Sequence, residues 1–313
     1  MSVRFRTVLE TETSYYRTIP QAAKRVESVR LIILDFQGQL WEKPPGSDVL
    51  EVTGMSRNLQ AVFFEDRDLS LDLAQKNQLL SQLLSNPATR EQLLPHLKLV
   101  SLERNQVLYE QGDAIDHVYF PLDSVVSNLA IMEDGTTIET LMVGCEGLVG
   151  LSAILGAGVS RQWLWVLVSG TALQLESKIL DNVFVHHEHA LKSLLKFYRS
   201  TITQVSQRCV CNTRHTVLDR LCCWLLMLHD RVGDSNLRLT QEVIASRLGA
   251  RRAGITVAAG VLQSMHGIEY RRGQLHVVDR EVLERAVCEC YFLMRSDCTL
   301  KVPVRRTYSG FSL

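Results

Sequence analysis

Leu239 to Asp279, LTQEVIASRLGA-RRAGITVAAGVLQSMHG-IEYRRGQLHVVD, is the stretch whose reading decides the fold. Thr240 is an N-cap residue, and Glu242 places a carboxylate in the first turn of the helix it starts. Val243, Ile244 and Leu248 recur at helical spacing, and Gly249 supplies a stop. A second stripe, Ile255, Ala258, Ala259 and Leu262, ends at Gly267. Two short helices joined by a glycine turn make a helix-turn-helix. Two apolar runs, Ile268 to Tyr270 and Leu275 to Val278, then flank Arg271-Arg272-Gly273-Gln274, the pattern of a hairpin wing with a basic tip.

Charge marks this module as a nucleic-acid reader. The whole chain balances, with Lys+Arg 34 against Asp+Glu 34. Between Arg238 and Gly273, however, six arginines (Arg238, Arg247, Arg251, Arg252, Arg271, Arg272) stand against Glu242 and Glu269. A satellite domain with a solvated arginine face would also carry such charge. Arginines at both a helix start and a hairpin tip suit one groove and its flanking phosphates better.

The rest of the 313 residues allows two or three domains. Apolar and charged fractions of 46% and 22% are ordinary globular values. The longest apolar run, Leu221 to Leu228, is too short to span a bilayer, and the N-terminus lacks the apolar core of a secretory signal. A cytoplasmic protein with reduced thiols is expected. From about Val107 to Leu175 the period is near two and glycines punctuate it, as in Glu133-Asp134-Gly135. Short strands at even spacing argue for a sandwich or barrel, here a β-roll. The glycine-rich interval Gly144 to Gly158 suits a ligand-cradling loop or a tight corner of the roll.

Beyond Leu180 the period becomes helical. Leu195, Ile202 and Cys209 repeat every seven residues, offset by three from Leu191, Tyr198 and Val205, an a/d seam for a helix that pairs with another. Val217 to Leu228 is apolar on nearly all sides and reads as a buried first helix of the C-terminal domain.

This order of β-roll, seam helix and winged helix-turn-helix resembles the Crp/Fnr family of bacterial transcription regulators. The likeness covers Gln78 to Leu293 and rests on VLYEQGDAIDHVYFP with DGTTIETLMVGCEGLVG, and on the ungapped run from Leu239 to Gly273. It implies an α+β chain: an N-terminal extension (1–75), a jelly-roll sensor domain (76–185), a dimerisation helix (186–216), a winged helix-turn-helix (217–300) and a tail (301–313). It further implies a homodimer on a palindromic double-stranded DNA site, with RNA polymerase as a further partner and no membrane. Arg252 matches the family's guanine-reading arginine. Arg247, Arg251, Thr256, Arg271 and Arg272 are further candidate contacts, and Gln241 is placed to touch phosphate.

The effector end departs from the family pattern. Gly147, Gly150 and Arg161 are candidates for an effector pocket, but Leu151 stands where the cyclic-AMP-binding members carry glutamate, and Gln162 replaces their serine. Leucine accepts no hydrogen bond from a ribose hydroxyl, so cyclic AMP is not the expected effector. No cysteine precedes Cys145, so the family's iron–sulfur cluster site is absent and no cofactor is identified. His186, His187, Glu188 and His189 are neighbours that point in different directions on a helix, a solvated helix start rather than a metal site. Cys209-x-Cys211, Cys222-Cys223 and Cys288-x-Cys290 lack the Cys-x-x-Cys spacing of zinc ribbons; small buried thiols are the simpler reading, with redox or metal chemistry the alternative. Phosphate-loop, nucleophile-elbow and zinc-protease motifs are missing, so an enzyme is not expected. The competing function is a small-molecule or thiol-redox regulator without specific DNA binding. The first 75 residues offer only Arg30 to Leu34 and Asp48 to Val52 as possible strands.

Overall fold

The computed structural model describes residues 29–34, 40–42, 60–65, 71–156, 158–233 and 236–297, and the chain divides after Leu69 into two units. The first unit contains an antiparallel sheet in which β1 (Val29–Leu34) lies between β2 (Leu40–Glu42) and β3 (Gln60–Glu65). The expected strand at Arg30 to Leu34 is therefore present, whereas Asp48 to Val52 lies outside the described residues.

After a helical turn at residues 71–74, the second unit continues with α1 (Gln78–Leu84) and α2 (Pro87–Leu93). Asn77 and Asn86 cap them, each side-chain oxygen accepting from backbone N–H groups of the first turn, and Pro87 fits a position whose N–H would have no partner. The roll follows as two packed antiparallel sheets. One has the order β4 (Lys98–Leu102), β10 (Gly170–Glu176), β6 (His117–Pro121). The other runs β5 (Val107–Tyr109), β9 (Trp163–Val168), β7 (Val125–Ile131), β8 (Thr137–Val143). A short helix α3 (Leu151–Ile154) interrupts the glycine-rich interval. The roll's core joins Val118, Phe120, Val126, Leu148, Leu164, Val166 and Leu173 to apolar residues of the flanking helices.

Helix α4 (Ser177–His186) leads into α5 (Glu188–Arg214), 27 residues long. Glu188 begins α5 as the solvated helix start anticipated, paired with Lys192 at 2.6 Å. The C-terminal domain comprises α6 (Val217–Val232), β11 (Asn236–Arg238), α7 (Gln241–Leu248), α8 (Arg252–Ser264), β12 (Ile268–Arg271), β13 (Gln274–Val277), α9 (Arg280–Ala286) and α10 (Glu289–Asp297). A capping box between Thr216 and Asp219 starts α6, whose Leu221 to Leu228 are all buried. The core of this domain continues into Val125, Met142 and Leu167 of the roll, so the two domains share apolar packing.

Candidate nucleic-acid interface

Thr240 caps α7 by accepting from the Val243 N–H, as the sequence implies. Ile255, Ala258, Ala259 and Leu262 bury the inner face of α8, which leaves Arg251, Arg252, Ala253, Thr256 and Val257 exposed on the outer face. Thr256 Oγ1 donates to Gln241 Oε1 at 2.7 Å, so the starts of both helices are linked through two of the candidate contacts. The wing turns through Arg272 and Gly273, both at positive φ (50° and 77°), the two-residue geometry that matches strand twist. Glycine suits this conformation and arginine tolerates it at some cost, which leaves Arg271 and Arg272 exposed at the tip. Tyr270 anchors the wing to the helices, its hydroxyl donating to the Leu239 carbonyl at 2.8 Å.

Arg247 departs from expectation. Its side chain is buried and its guanidinium carbon lies 5.6 Å from the centroid of the Trp165 ring in β9. Desolvation lowers its pKa, with Glu139 acting in the opposite direction. The reason lies in packing: α7 rests on β8, where Ser246 and Thr137 hydroxyls hydrogen-bond to each other. An arginine one residue along is drawn under the roll rather than out to solvent. It is therefore removed from the candidate DNA contacts.

Two buried carboxylates of the roll hold the winged domain. Glu139 Oε1 accepts from Arg208 Nη1 of α5 and from Trp224 Nε1 of α6, each at 2.9 Å, and Ser127 Oγ donates to its other oxygen. Glu146 accepts from Arg231 Nε of α6 at 2.8 Å and from the Gly144 N–H at 3.1 Å. Neither was anticipated. The available signal was a glutamate inside the otherwise uncharged strand Thr137–Val143, which needs a buried cation somewhere in the chain.

The effector candidates sit in different surroundings. Gly147 is buried against α5: a Cβ added there would lie 1.9 Å from the Phe197 ring. Gly150 caps α3 with φ 95°, close to Ile115 and Val118, while Arg161 is exposed before β9. Gln162 Nε2 donates to Thr140 Oγ1 at 2.8 Å, and half-buried Leu151 begins α3. Cys145, on the same loop, is a poor nucleophile, because burial and then Glu146 push its thiol up to about 11.

The seam positions are bare. Leu191, Leu195, Tyr198, Ile202 and Val205 are 36–53% exposed, and Cys209 is exposed beside them. Among the described residues, no helix is long and apolar enough to cross a membrane.

Comparison with known proteins agrees with this geometry. The profile of the cyclic nucleotide-binding domain matches residues 99–187, and that of the Crp-like helix-turn-helix domain matches residues 219–286. A global nitrogen regulator from Nostoc sp. strain PCC 7120 is 24% identical over 199 residues, covering 59% of this chain and 87% of that protein. FixK2 from Bradyrhizobium japonicum shares the fold at 14% identity and a TM-score of 0.54, over 61% of this chain and 98% of its own. A CRP-family transcriptional regulator from Thermus thermophilus does so at 16% identity and a TM-score of 0.51, over 60% and 95%. With both domains matched in series, and a recognition helix and wing exposed beside the roll, the chain is a transcription regulator of the Crp/Fnr family.

Proposed function

We propose that this regulator acts as a homodimer, paired along the bare face of α5, and reads a palindromic duplex through one recognition helix from each copy. The observation that carries this reading is the exposure of Arg251 and Arg252 at the start of α8 together with Arg271 and Arg272 at the wing tip. In this arrangement Arg252 meets a base edge, Arg251 and Thr256 add contacts beside it, and Gln241 and the wing arginines hold phosphates. Half-sites stand about one helical turn apart, roughly 34 Å. RNA polymerase is the further partner and the cytoplasm the place of action, as for a regulator that works on DNA.

The roll serves as the sensor, with an effector other than cyclic AMP. Half-buried Leu151 brings no acceptor for a ribose, and Gln162 is already engaged by Thr140. Calorimetry should register no cyclic AMP binding; a low-micromolar isotherm would refute this part.

A gel-shift series over salt concentration tests the DNA reading. Arg252→Ala should weaken the specific site by about 1–3 kcal/mol and relax one base preference. Arg271→Ala should weaken every sequence and flatten the salt dependence. If Arg252→Ala kept both affinity and base preference, α8 would not be the reading helix.

A further inference from the structure

Where α5 ends, four side chains from two separate parts of the chain converge. Cys211 lies in the last turn of α5, and His215 follows as its C-cap. The spacing of four places both on one side of the helix end. Cys288 and Cys290 come from the start of α10, which packs along α5. The three sulfur atoms and one ring nitrogen all lie within 4.8 Å of one another. Cys211 Sγ is 3.7 Å from Cys288 Sγ, and Cys290 Sγ is 3.4 Å from His215 Nδ1.

These separations have a chemical meaning. A tetrahedral ion with metal–sulfur bonds of about 2.3 Å and a metal–nitrogen bond of about 2.0–2.1 Å sets its ligand atoms apart by roughly 3.5–3.8 Å. A disulfide would need its sulfurs at about 2.05 Å. An iron–sulfur cluster distributes its ligands over two or more irons, and so spreads them more widely than one ion does. The surroundings are also those of a ligand set rather than of apolar filler. His215 Nε2 faces Glu289 Oε2 at 3.4 Å, so a carboxylate orients the ring from behind while Nδ1 looks inward. Gln207 Nε2 donates to Cys290 Sγ at 3.1 Å. All three cysteines are buried, and Cys223 of α6, also buried, lies beside Cys211.

We propose that Cys211, His215, Cys288 and Cys290 form a closed tetrahedral site for one thiophilic divalent cation, Zn²⁺ by ligand type, which fastens the end of α5 to the last helix of the winged domain. Three thiolates and one imidazole are a structural zinc set, with no position left open for catalysis. The ion enters as the thiols release their protons to solvent, so its binding weakens as pH falls. Because its ligands come from both sides of the winged domain's attachment, the ion fixes how that domain hangs on the long helix.

The test uses the full chain, purified under reducing, oxygen-free conditions without a metal-charged column. Elemental analysis should give about one zinc per chain, and Co²⁺ titration of the stripped protein should give thiolate charge-transfer and tetrahedral d–d absorption. Cys288→Ser, Cys290→Ser and His215→Ala should each lose or blue-shift that spectrum, while Cys145→Ser keeps it. Glu289→Gln leaves every ligand atom in place and should still weaken metal affinity by about 10- to 100-fold, which keeps the test open even where a ligand variant fails to fold. Folded wild-type protein that holds no zinc and gives no Co²⁺ spectrum would overturn the proposal. So would a Cys211–Cys288 disulfide in the protein as isolated, or a spectrum lost in Cys223→Ser but intact in His215→Ala. None of these readouts involves DNA, so the site and the DNA reading stand or fall separately.

Discussion

The two faces of α5 are built to opposite rules. The face turned to the roll and the winged domain buries apolar Ala190, Leu194 and Phe197, but also Ser193, Ser200, Gln204 and Arg208. Two of these polar groups are held at fixed points: Gln204 Oε1 accepts from the Met142 N–H at 3.2 Å, and Arg208 reaches Glu139. The opposite side carries a bare apolar stripe beside exposed Lys192, Lys196 and Arg199, with Leu195 53% and Ile202 48% exposed. A helix that simply covered a domain would reverse this, placing polar residues outward. The difference teaches that the inner face specifies which elements meet, through charge and hydrogen bonds, while the outer face is kept for a surface that is also apolar. A second copy of the same stripe, as proposed, would meet that need.

Breaking the inner face should cost most. Glu139→Ala strands the Arg208 guanidinium in a buried site and removes the Trp224 acceptor, for a loss of about 3–5 kcal/mol in denaturant unfolding. A loss under about 1 kcal/mol would mean that water reaches Arg208 and that the two domains are not fastened there. Phe197→Ala should cost a comparable 3–5 kcal/mol or somewhat less, since its ring is 8% exposed and is pressed on Gly147.

Ile202→Glu sharpens the comparison from the other side. The monomer's fold should tolerate it, yet two carboxylates would meet at a two-fold axis in apolar surroundings. Sedimentation should show monomers with reduced DNA affinity; a mutant that stayed dimeric would place the seam elsewhere. Arg247→Ala should cost about 1 kcal/mol of stability through lost packing on Trp165, while the salt slope of DNA binding stays that of the parent. Leu195→Ala should have the smallest effect on monomer stability, within about 0.5 kcal/mol, and be felt only in the dimer equilibrium.

The pattern of what the sequence disclosed follows the range of each interaction. Caps, stripes and the wing turn are local, so Thr240, the Ile255 to Leu262 stripe and Arg272-Gly273 were readable from neighbours alone. The strands from Val107 to Leu175 were also legible through their period. Strand β4 and helices α1 and α2 were not anticipated, being short and lacking a long periodic run. Arg247 was assigned to DNA by its charge and misplaced, because only the packing of α7 on β8 decides which way it turns. The arginine and tryptophan partners of Glu139 and Glu146 lie 69 to 85 residues away, and the Cys211–Cys288 pair 77 residues apart. No spacing rule reaches that far. Cys-x-x-Cys is not the spacing of the proposed ligand set, whose halves come from the end of one helix and the start of another.

The contact between Gly147 and Phe197 carries a mechanical consequence. No side chain stands between the loop's backbone and the aromatic ring, so the junction has nothing soft in it to absorb a displacement. Closely packed interiors transmit strain rather than dissipate it. A shift of the Gly144–Gly150 loop by even a fraction of an ångström must either tilt the ring or push the whole rod of α5. Phe197 is flanked along that rod by outward-facing Leu195 and Tyr198, so the push would arrive at the residues proposed to meet a second copy. The glycine would then be the unpadded end of a lever whose far arm is the proposed pairing surface.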